Sequence, residues 1–250
     1  GGGSAFGLAA ADGVMQWLEL HDYGFDVGVA KVPIVPAACL FDLAFERGDV
    51  RPDADAGVIA CENASTGPIT QGNVGAGTGA TVGKVLGPQQ AMKGGIGCAT
   101  KATDGGLVVS AVVAVNAFGG VVDPATGELI AGPRLPDGSM GDTVALMSGV
   151  LEQHFGGPRR DNTTLGVVLT NAALDKAGAT KVAQMAQAGL ARTVRPAHSH
   201  FDGDVLFVLS CGERTADLTL IGAMGSDVVA EAVINGVTAA QANHHSSVVQ

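Results

Sequence analysis

The chain has 250 residues, enough for one large hydrophobic core or two modest ones. With 46% hydrophobic and 15% charged residues it has a globular balance, and a net charge of −10 argues against binding nucleic acid through a basic surface. No uninterrupted run of 18 or more apolar residues occurs, which argues against a membrane span.

Glycine is abundant, at 38 residues without a G-X-Y repeat, and this predicts tight turns and close backbone packing. The start, Gly1-Gly2-Gly3-Ser4, lacks the charged segment of a signal peptide and reads as a strand exit entering a helix. Ser4 is the predicted N-cap of a helix over about residues 5–20, with Phe6, Ala10, Val14, Trp17 and Leu18 at roughly helical spacing. Gly7 and Gly13 inside it lower helix propensity, so another element is expected to pack closely there. Val32 to Pro36 reads as extended, Ala37 to Phe45 as a short helix, and Arg51 to Asp55 as a polar connection.

Gly72 to Lys84 is the densest glycine segment. A phosphate loop would need glycine where Thr78 stands and a hydroxyl residue where Val85 stands, and the dinucleotide G-x-G-x-x-G pattern fails as well. Close backbone packing around a site is the better reading. Lys93 to Gly97 opens a β-rich part, and Leu107 to Ala117 is nearly continuous apolar, as in a strand buried on both faces. Asn116, its lone amide, is either a turn residue before Gly119-Gly120 or an amide donor at the strand's end. Val121 to Ile130 reads as a hairpin around Pro124 to Gly127.

Asp142 to Phe155 reads as an amphipathic helix leading into an exposed loop, Gly156 to Arg160. Leu165 to Leu169 is a buried strand, about 175–193 a helix, Val205 to Leu209 a strand, and about 216–236 a final helix. Residues 238–250 are small and polar and are expected to form a mobile tail. Helices alternate with buried strands without an obvious linker, so one α/β domain over residues 1–250 is predicted. Cys39, Cys61, Cys98 and Cys211 are scattered without a C-x-x-C pair and read as buried free thiols of a reducing, cytoplasmic compartment.

The chemistry concentrates at Asn162-Thr163, where an exposed loop enters a core strand. Thr163 Oγ1 is placed to attack the Asn162 carbonyl, move the acyl group from nitrogen to oxygen, and be released by water as a new N-terminus. Its own α-amine, with a pKa of about 7.7–8.0, would then serve as the base. Asn162-Thr163-Thr164 also matches a glycosylation acceptor, and a plain turn at a strand entry is the commoner outcome. His198-x-His200-x-Asp202 resembles part of a metallohydrolase motif but lacks a third nearby His, so no catalytic metal is expected. Asp202-Gly203-Asp204 reads as a turn, or as a carboxylate pair in which one group orients Thr163 and the other shifts their shared titration. Lys84 is either solvated or a charge that favours the neutral amine and supports an oxyanion.

Several segments together resemble the P1/DmpA family, peptidase family S58, of self-processing N-terminal-nucleophile-type hydrolases. They are Gly2 to Val14, Val32 to Ala38, Gly72 to Lys84, Lys93 to Gly97, Val115-Asn116-Ala117 and Asn162 to Leu165, and the resemblance extends to about residue 237. The family includes L-aminopeptidase/D-esterases, β-peptidyl aminopeptidases and nylon-oligomer endo-amidases (NylC). Asn162-Thr163 is similar to the Asn-Thr junction of the endo-amidase branch rather than the Gly-Ser junction of the aminopeptidases.

The resemblance implies a four-layered αββα sandwich that cuts itself into residues 1–162 and 163–250 and assembles as a homo-oligomer of processed units. It implies Thr163 as nucleophile, Asp202 and Asp204 as its carboxylate partners, Lys84 as the site's lysine and Asn116 as an oxyanion donor, acting on a small amide or peptide without cofactor. Two departures stand out. Phe41 replaces a Tyr before Asp42, and the chain begins inside the family pattern, lacking its opening strands. The resulting expectation is a 6-aminohexanoate-type endo-amidase. The rivals are an aminopeptidase of the same family, an acyltransferase of ornithine-acetyltransferase type, and a non-processing assembly subunit without activity.

Overall fold

The computed structural model describes residues 1–151 and 162–247. The backbone divides into two units, Gly1–Ile69 and Thr70–Gln250. In the first, a 3₁₀ segment, Ser4–Ala9, runs into α1, Ala10–Leu20. Ser4 makes no side-chain cap and has φ 53°, so the expected single helix with a Ser4 cap gives way to two segments. A short hairpin comes next, β1 (Phe25–Asp26) with β2 (Lys31–Val32).

Residues 37–45 are not the expected helix. Their backbone groups pair with the N-terminal segment instead: Leu40 N–H donates to Gly1 O at 2.9 Å, and Ser4 N–H donates to Leu40 O at 3.0 Å. The supposed polar connection instead starts α2, Ala54–Glu62, where Asp53 accepts the Ala56 N–H at 3.0 Å as an N-cap. The close packing expected at Gly13 is present, because a Cβ there would lie 1.8 Å from Ala54 O of α2.

In the second unit β3 (Thr81–Val82) pairs with β4 (Met92–Lys93). The chain continues through β5 (Gly95–Ala102), β6 (Val108–Val115), β7 (Gly120–Val122) and β8 (Leu129–Ala131) to α3 (Thr143–Leu151). Asp142 starts α3 by accepting the Ala145 N–H at 2.9 Å, while the loop predicted over 156–160 lies outside the described residues. Then come β9 (Leu165–Ala172), α4 (Lys176–Thr193), β10 (Val194–Arg195), β11 (Val205–Arg214) and α5 (Leu218–Ser247). β7 and β8 form the expected hairpin and extend to β10 in a three-stranded sheet.

The main sheet has the order β11-β9-β6-β5. β5, β6 and β9 run antiparallel in succession, and β9 and β11 run parallel with α4 between them in sequence. The two long helices α4 and α5 pack on each other, α5 on β5 and β6, and α4 on β11. The core is small and branched: Val109, Val113, Val168, Val182, Leu190, Ile221, Val228 and Val233 are fully buried. β6 is buried on both faces only at its end, Val113–Val115, and alternates before that.

The expected mobile tail is largely helix, since α5 continues to Ser247. Val237 and Ala240 are fully buried, Asn73 Nδ2 donates to Ala240 O at 3.1 Å, and Gln241 Nε2 donates to Lys93 O at 2.7 Å. Over Leu218–Ala242 this helix is long and apolar enough to cross a membrane, with a mean hydropathy of 1.4. Its apolar side chains instead lie in the core of this unit. All four cysteines are free, but Cys211 is exposed and the other three are half-buried, not fully buried as expected.

Close contact between α5 and β5 depends on glycine. A Cβ on Gly97 would lie 2.1 Å from Ala232 O and 2.3 Å from Gly236 N, and backbone cannot step aside as a flexible side chain can. Gly97→Ala is therefore expected to destabilise the chain by about 3 kcal/mol, the upper end of overpacking. Gly225 on α5 has its nearest neighbour at 3.6 Å, so Gly225→Ala should stabilise by about 0.5–1 kcal/mol. Denaturant midpoints of the two variants against wild type check both signs.

Candidate active site

The register of the main sheet brings distant residues together. Leu165, the first residue of β9, lies opposite Ala114 near the end of β6 and Val205 at the start of β11. Because β6 is antiparallel to β9 while β11 is parallel to it, the exit of β6 and the entries of β9 and β11 meet at one end of the sheet. Those three segments contain Asn116, Asn162-Thr163-Thr164 and Asp202-Gly203-Asp204. Lys84 joins them because residues 83 and 84 pair with the exit of β6: Gly83 N–H donates to Gly119 O and Lys84 N–H to Phe118 O, both at 2.9 Å.

Thr163 is half-buried between the buried Asn162 and Thr164. Its N–H donates to Asn116 O at 2.9 Å, and its hydroxyl donates to the Asn162 carbonyl oxygen at 2.5 Å. The nucleophile proposed from sequence thus lies against the carbonyl it would attack. The Asn162 carbonyl also accepts the Gly203 N–H at 2.9 Å, and Asn162 Nδ2 donates to Phe201 O at 3.2 Å. Asn162 pairs with Asp202 in an isolated parallel bridge, which continues the β9–β11 alignment back into the site.

Asn116 is fully buried. Its Oδ1 accepts from Lys84 Nζ at 2.8 Å and from Thr81 N–H at 3.1 Å, and Lys84 Nζ also reaches Asn116 O at 3.3 Å. Both partners of Oδ1 are obligate donors, which fixes the amide with its oxygen toward them and Nδ2 as its other end. The Lys84 ammonium and the Thr163 N–H therefore share the Asn116 carbonyl.

The two carboxylates lie at the site but do not hold the Thr163 hydroxyl, the role the sequence suggests for one of them. Asp202 accepts the Phe118 N–H at 2.9 Å on Oδ1 and the Ser199 hydroxyl on Oδ2. Asp204, whose side chain is 2% exposed, accepts the Thr164 N–H at 2.7 Å on Oδ1 and the His198 N–H at 3.0 Å on Oδ2. Asp204 thus anchors the backbone just after Thr163, while Asp202 anchors the exit of β6. Burial holds the Asp202 carboxyl above the ordinary carboxylate range, and the nearby Asp204 charge adds to this. The Ser199 hydroxyl, the Phe118 amide and the Lys84 charge pull the other way and only partly offset it.

The histidine motif does not converge as a ligand set. His198 Nδ1 lies 3.1 Å from Asp204, His200 sits edge-on to Phe201, and the Asp202 oxygens are engaged as described. Among the described residues no group of three His, Cys, Asp or Glu side chains is placed to hold a metal. Sequence reasoning missed Ser199, the Phe118 and Gly203 amides, and the Phe118–Phe201 ring pair at 4.7 Å. Only Ser199, three residues before Asp202, carried a sequence signal, since a hydroxyl at that spacing commonly bonds an Asp across a turn.

The chain is 42% identical to an uncharacterized aminopeptidase of Mycobacterium leprae, covering 96% of this chain and 70% of that protein. It is 28% identical to a 6-aminohexanoate-oligomer endohydrolase of Kocuria sp., over 93% of this chain and 69% of that one. Among solved structures it resembles the L-aminopeptidase D-Ala-esterase/amidase of Ochrobactrum anthropi, an Ntn-hydrolase fold variant, with a TM-score of 0.65 and 20% identity. It also resembles a β-aminopeptidase of Burkholderia sp., with a TM-score of 0.62 and 21% identity. The chain spans 64% and 65% of the lengths of those two structures' chains. A model of peptidase family S58 matches residues 1–248, and the chain belongs to that family.

Proposed function

We propose that the protein is an amide-bond hydrolase that matures by cutting its own Asn162–Thr163 bond and then uses Thr163 as an N-terminal nucleophile. The observation that carries this reading is the contact between Thr163 Oγ1 and the Asn162 carbonyl oxygen, at a junction held on both sides by backbone hydrogen bonds. In turnover the released α-amine takes the Oγ1 proton as Oγ1 attacks the substrate carbonyl, and the ammonium returns it to the leaving amine. Water then adds to the Thr163 ester, the C–Oγ1 bond breaks, and the acid product leaves. Lys84 beside Asn116 O lowers the proton affinity of the amine, and Asn116 Nδ2 is the donor for the substrate oxyanion.

For the substrate class we favour an endo-amidase of the 6-aminohexanoate-oligomer type over an aminopeptidase. The Asn-Thr junction is one reason. The second is that Asp204 is 2% exposed and each oxygen of Asp202 and Asp204 already accepts a hydrogen bond from the protein, which weakens both acids as partners for a substrate ammonium. The aminopeptidase reading rests on the names of relatives that are 41–42% identical. Hydrolysis of an N-acetylated linear amide as readily as its free-amine counterpart supports the endo-amidase; strict dependence on the free amine supports the aminopeptidase.

Thr163→Ala should abolish both processing and hydrolysis, because one oxygen serves both. Denaturing electrophoresis and N-terminal sequencing check this: wild type should yield fragments 1–162 and 163–250, the second beginning with Thr163. A variant that still splits there would remove Thr163 from the mechanism.

Asp202→Asn keeps the shape and the acceptor for Phe118 while removing a charge. It replaces the acceptor for the Ser199 hydroxyl by a donor, and losing that charged anchor, about 1.5–3 kcal/mol, should lower kcat/KM by about 10–10²-fold and slow processing less. Its stability effect has a definite sign. The folded state raises the Asp202 pKa, so the folded chain binds more protons than the unfolded one between the ordinary carboxylate pKa and the raised value. Wild-type stability therefore falls, relative to the Asn variant, as pH rises through that window, and below it the penalty vanishes. Melting temperatures of the two proteins from pH 3 to pH 8 test this; a constant difference across the range would contradict it.

A further inference from the structure

We propose that the backbone N–H of Gly203 is the oxyanion donor of the self-cleavage step, separate from the side-chain amide that serves turnover. This inference rests on the self-cleavage reading and names the group that makes the cut possible. Among the described residues the Asn162 carbonyl oxygen accepts two hydrogen bonds, one from Thr163 Oγ1 and one from Gly203 N–H at 2.9 Å. The first cannot persist during reaction, because the hydroxyl gives up its proton as it attacks. The Gly203 amide then remains to hold the charge that develops on the oxygen. Its distance already lies within the roughly 2.7–3.1 Å expected of an oxyanion donor.

The steps balance without a further reagent. Oγ1 bonds to the Asn162 carbonyl carbon, the carbonyl π pair moves onto the oxygen, and the Oγ1 proton passes to the Thr163 nitrogen. The C–N bond breaks with its pair on nitrogen, leaving an ester at Oγ1 and a free amine still beside Asn116 O. Water adds to the ester and the C–Oγ1 bond breaks, giving an Asn162 carboxylate and restoring the hydroxyl.

The amide is held in place by its neighbours. Gly203 lies between two acids whose carboxylates are fixed, Asp202 on Phe118 and Ser199, and Asp204 on Thr164 and His198. Thr164 O accepts the Val205 N–H at 3.0 Å, so the segment on which Gly203 stands is clamped to the cleavage segment on both sides of the bond. Glycine at 203 also leaves room for the nucleophile. A Cβ at 203 would stand 3.0 Å from Thr163 Oγ1, so the hydroxyl would have to shift by a few tenths of an ångström.

Three variants of the full chain separate the donor from the space it occupies. Gly203→Ala keeps the N–H and adds a methyl group, and its processing should slow by less than about tenfold. Gly203→Pro has the same Cβ but no N–H, and should process about 10²–10³-fold more slowly than the Ala variant, the cost of losing one oxyanion donor. Where the proline ring prevents folding, as circular dichroism would reveal, cell-free synthesis with glycolic acid at position 203 replaces the N–H by an ester oxygen without a ring. That chain should process about 10²–10³-fold more slowly than wild type.

Processing of the glycolate chain at the wild-type rate overturns the Gly203 assignment alone. A wild-type chain that never splits, or a Thr163→Ala chain that does, overturns the self-cleavage reading instead.

Discussion

The parallel alignment of β9 with β11 is the constraint on which the site depends. It fixes Leu165 opposite Val205 and, a few residues earlier, sets Asn162 beside Asp202. A one-residue slip would turn every side chain of the strand to the other face, so the core residues Val168 and Leu206 hold the chemistry in register as well as the fold. The antiparallel neighbour β6 supplies the third side, delivering the Asn116 carbonyl to the Thr163 N–H. No single loop builds this site. Three strand ends do, and the register of the sheet sets their relative positions.

Polar contacts then lock what the sheet has aligned. Asp202 and Asp204 are separated by one residue, yet their hydrogen bonds go to different chain segments, Phe118 after β6 and Thr164 before β9. Hydrogen bonds to a charged acceptor contribute about 1.5–3 kcal/mol each, more than neutral ones. Asp204, almost wholly enclosed, meets its desolvation cost with two backbone amides and His198. For Asp202 the hydrogen bonds only partly offset burial, which is why its proton is held more tightly than usual. Two acids of one turn thus pin two different segments, and each is held in its own way.

Much of this was legible in the sequence, and the reasons differ by element. Leu165 to Leu169 and Val205 to Leu209 read as strands because apolar, largely branched runs come after polar turns, and α4 read as a helix from its Ala, Gln, Met and Lys content, to which the structure adds the Asp175 cap on the Gly178 N–H. Thr163 stood out because polar loop residues meet apolar strand residues there. The failures were tertiary. Residues 37–45 have helix-forming composition but are drawn into pairing with residues 1–4. Residues 238–247 look like a polar tail, yet β4 and Asn73 offer partners to Gln241 and the Ala240 carbonyl. The roles of the Gly203 and Phe118 amides were invisible for a simpler reason: a backbone N–H carries no residue signature, and only register tells which carbonyl it meets.

The hydrogen bonds at the junction bear on what a cut there would do. Asn162 is held through its own carbonyl and side chain, to Gly203 N–H and Phe201 O. Thr163 and Thr164 are held through their amides, to Asn116 O and Asp204. Two of these bonds use the C=O and N–H of the Asn162–Thr163 peptide itself, but each runs to a third segment and none joins the two sides to each other. Breaking that linkage removes a covalent constraint while each new terminus keeps its own anchors. A new N-terminus held this way would be less free to fray than most chain ends, and its amine would share the Asn116 carbonyl with Lys84. The arrangement that sets one peptide bond against its hydroxyl is therefore the one that would position the amine once the bond is gone.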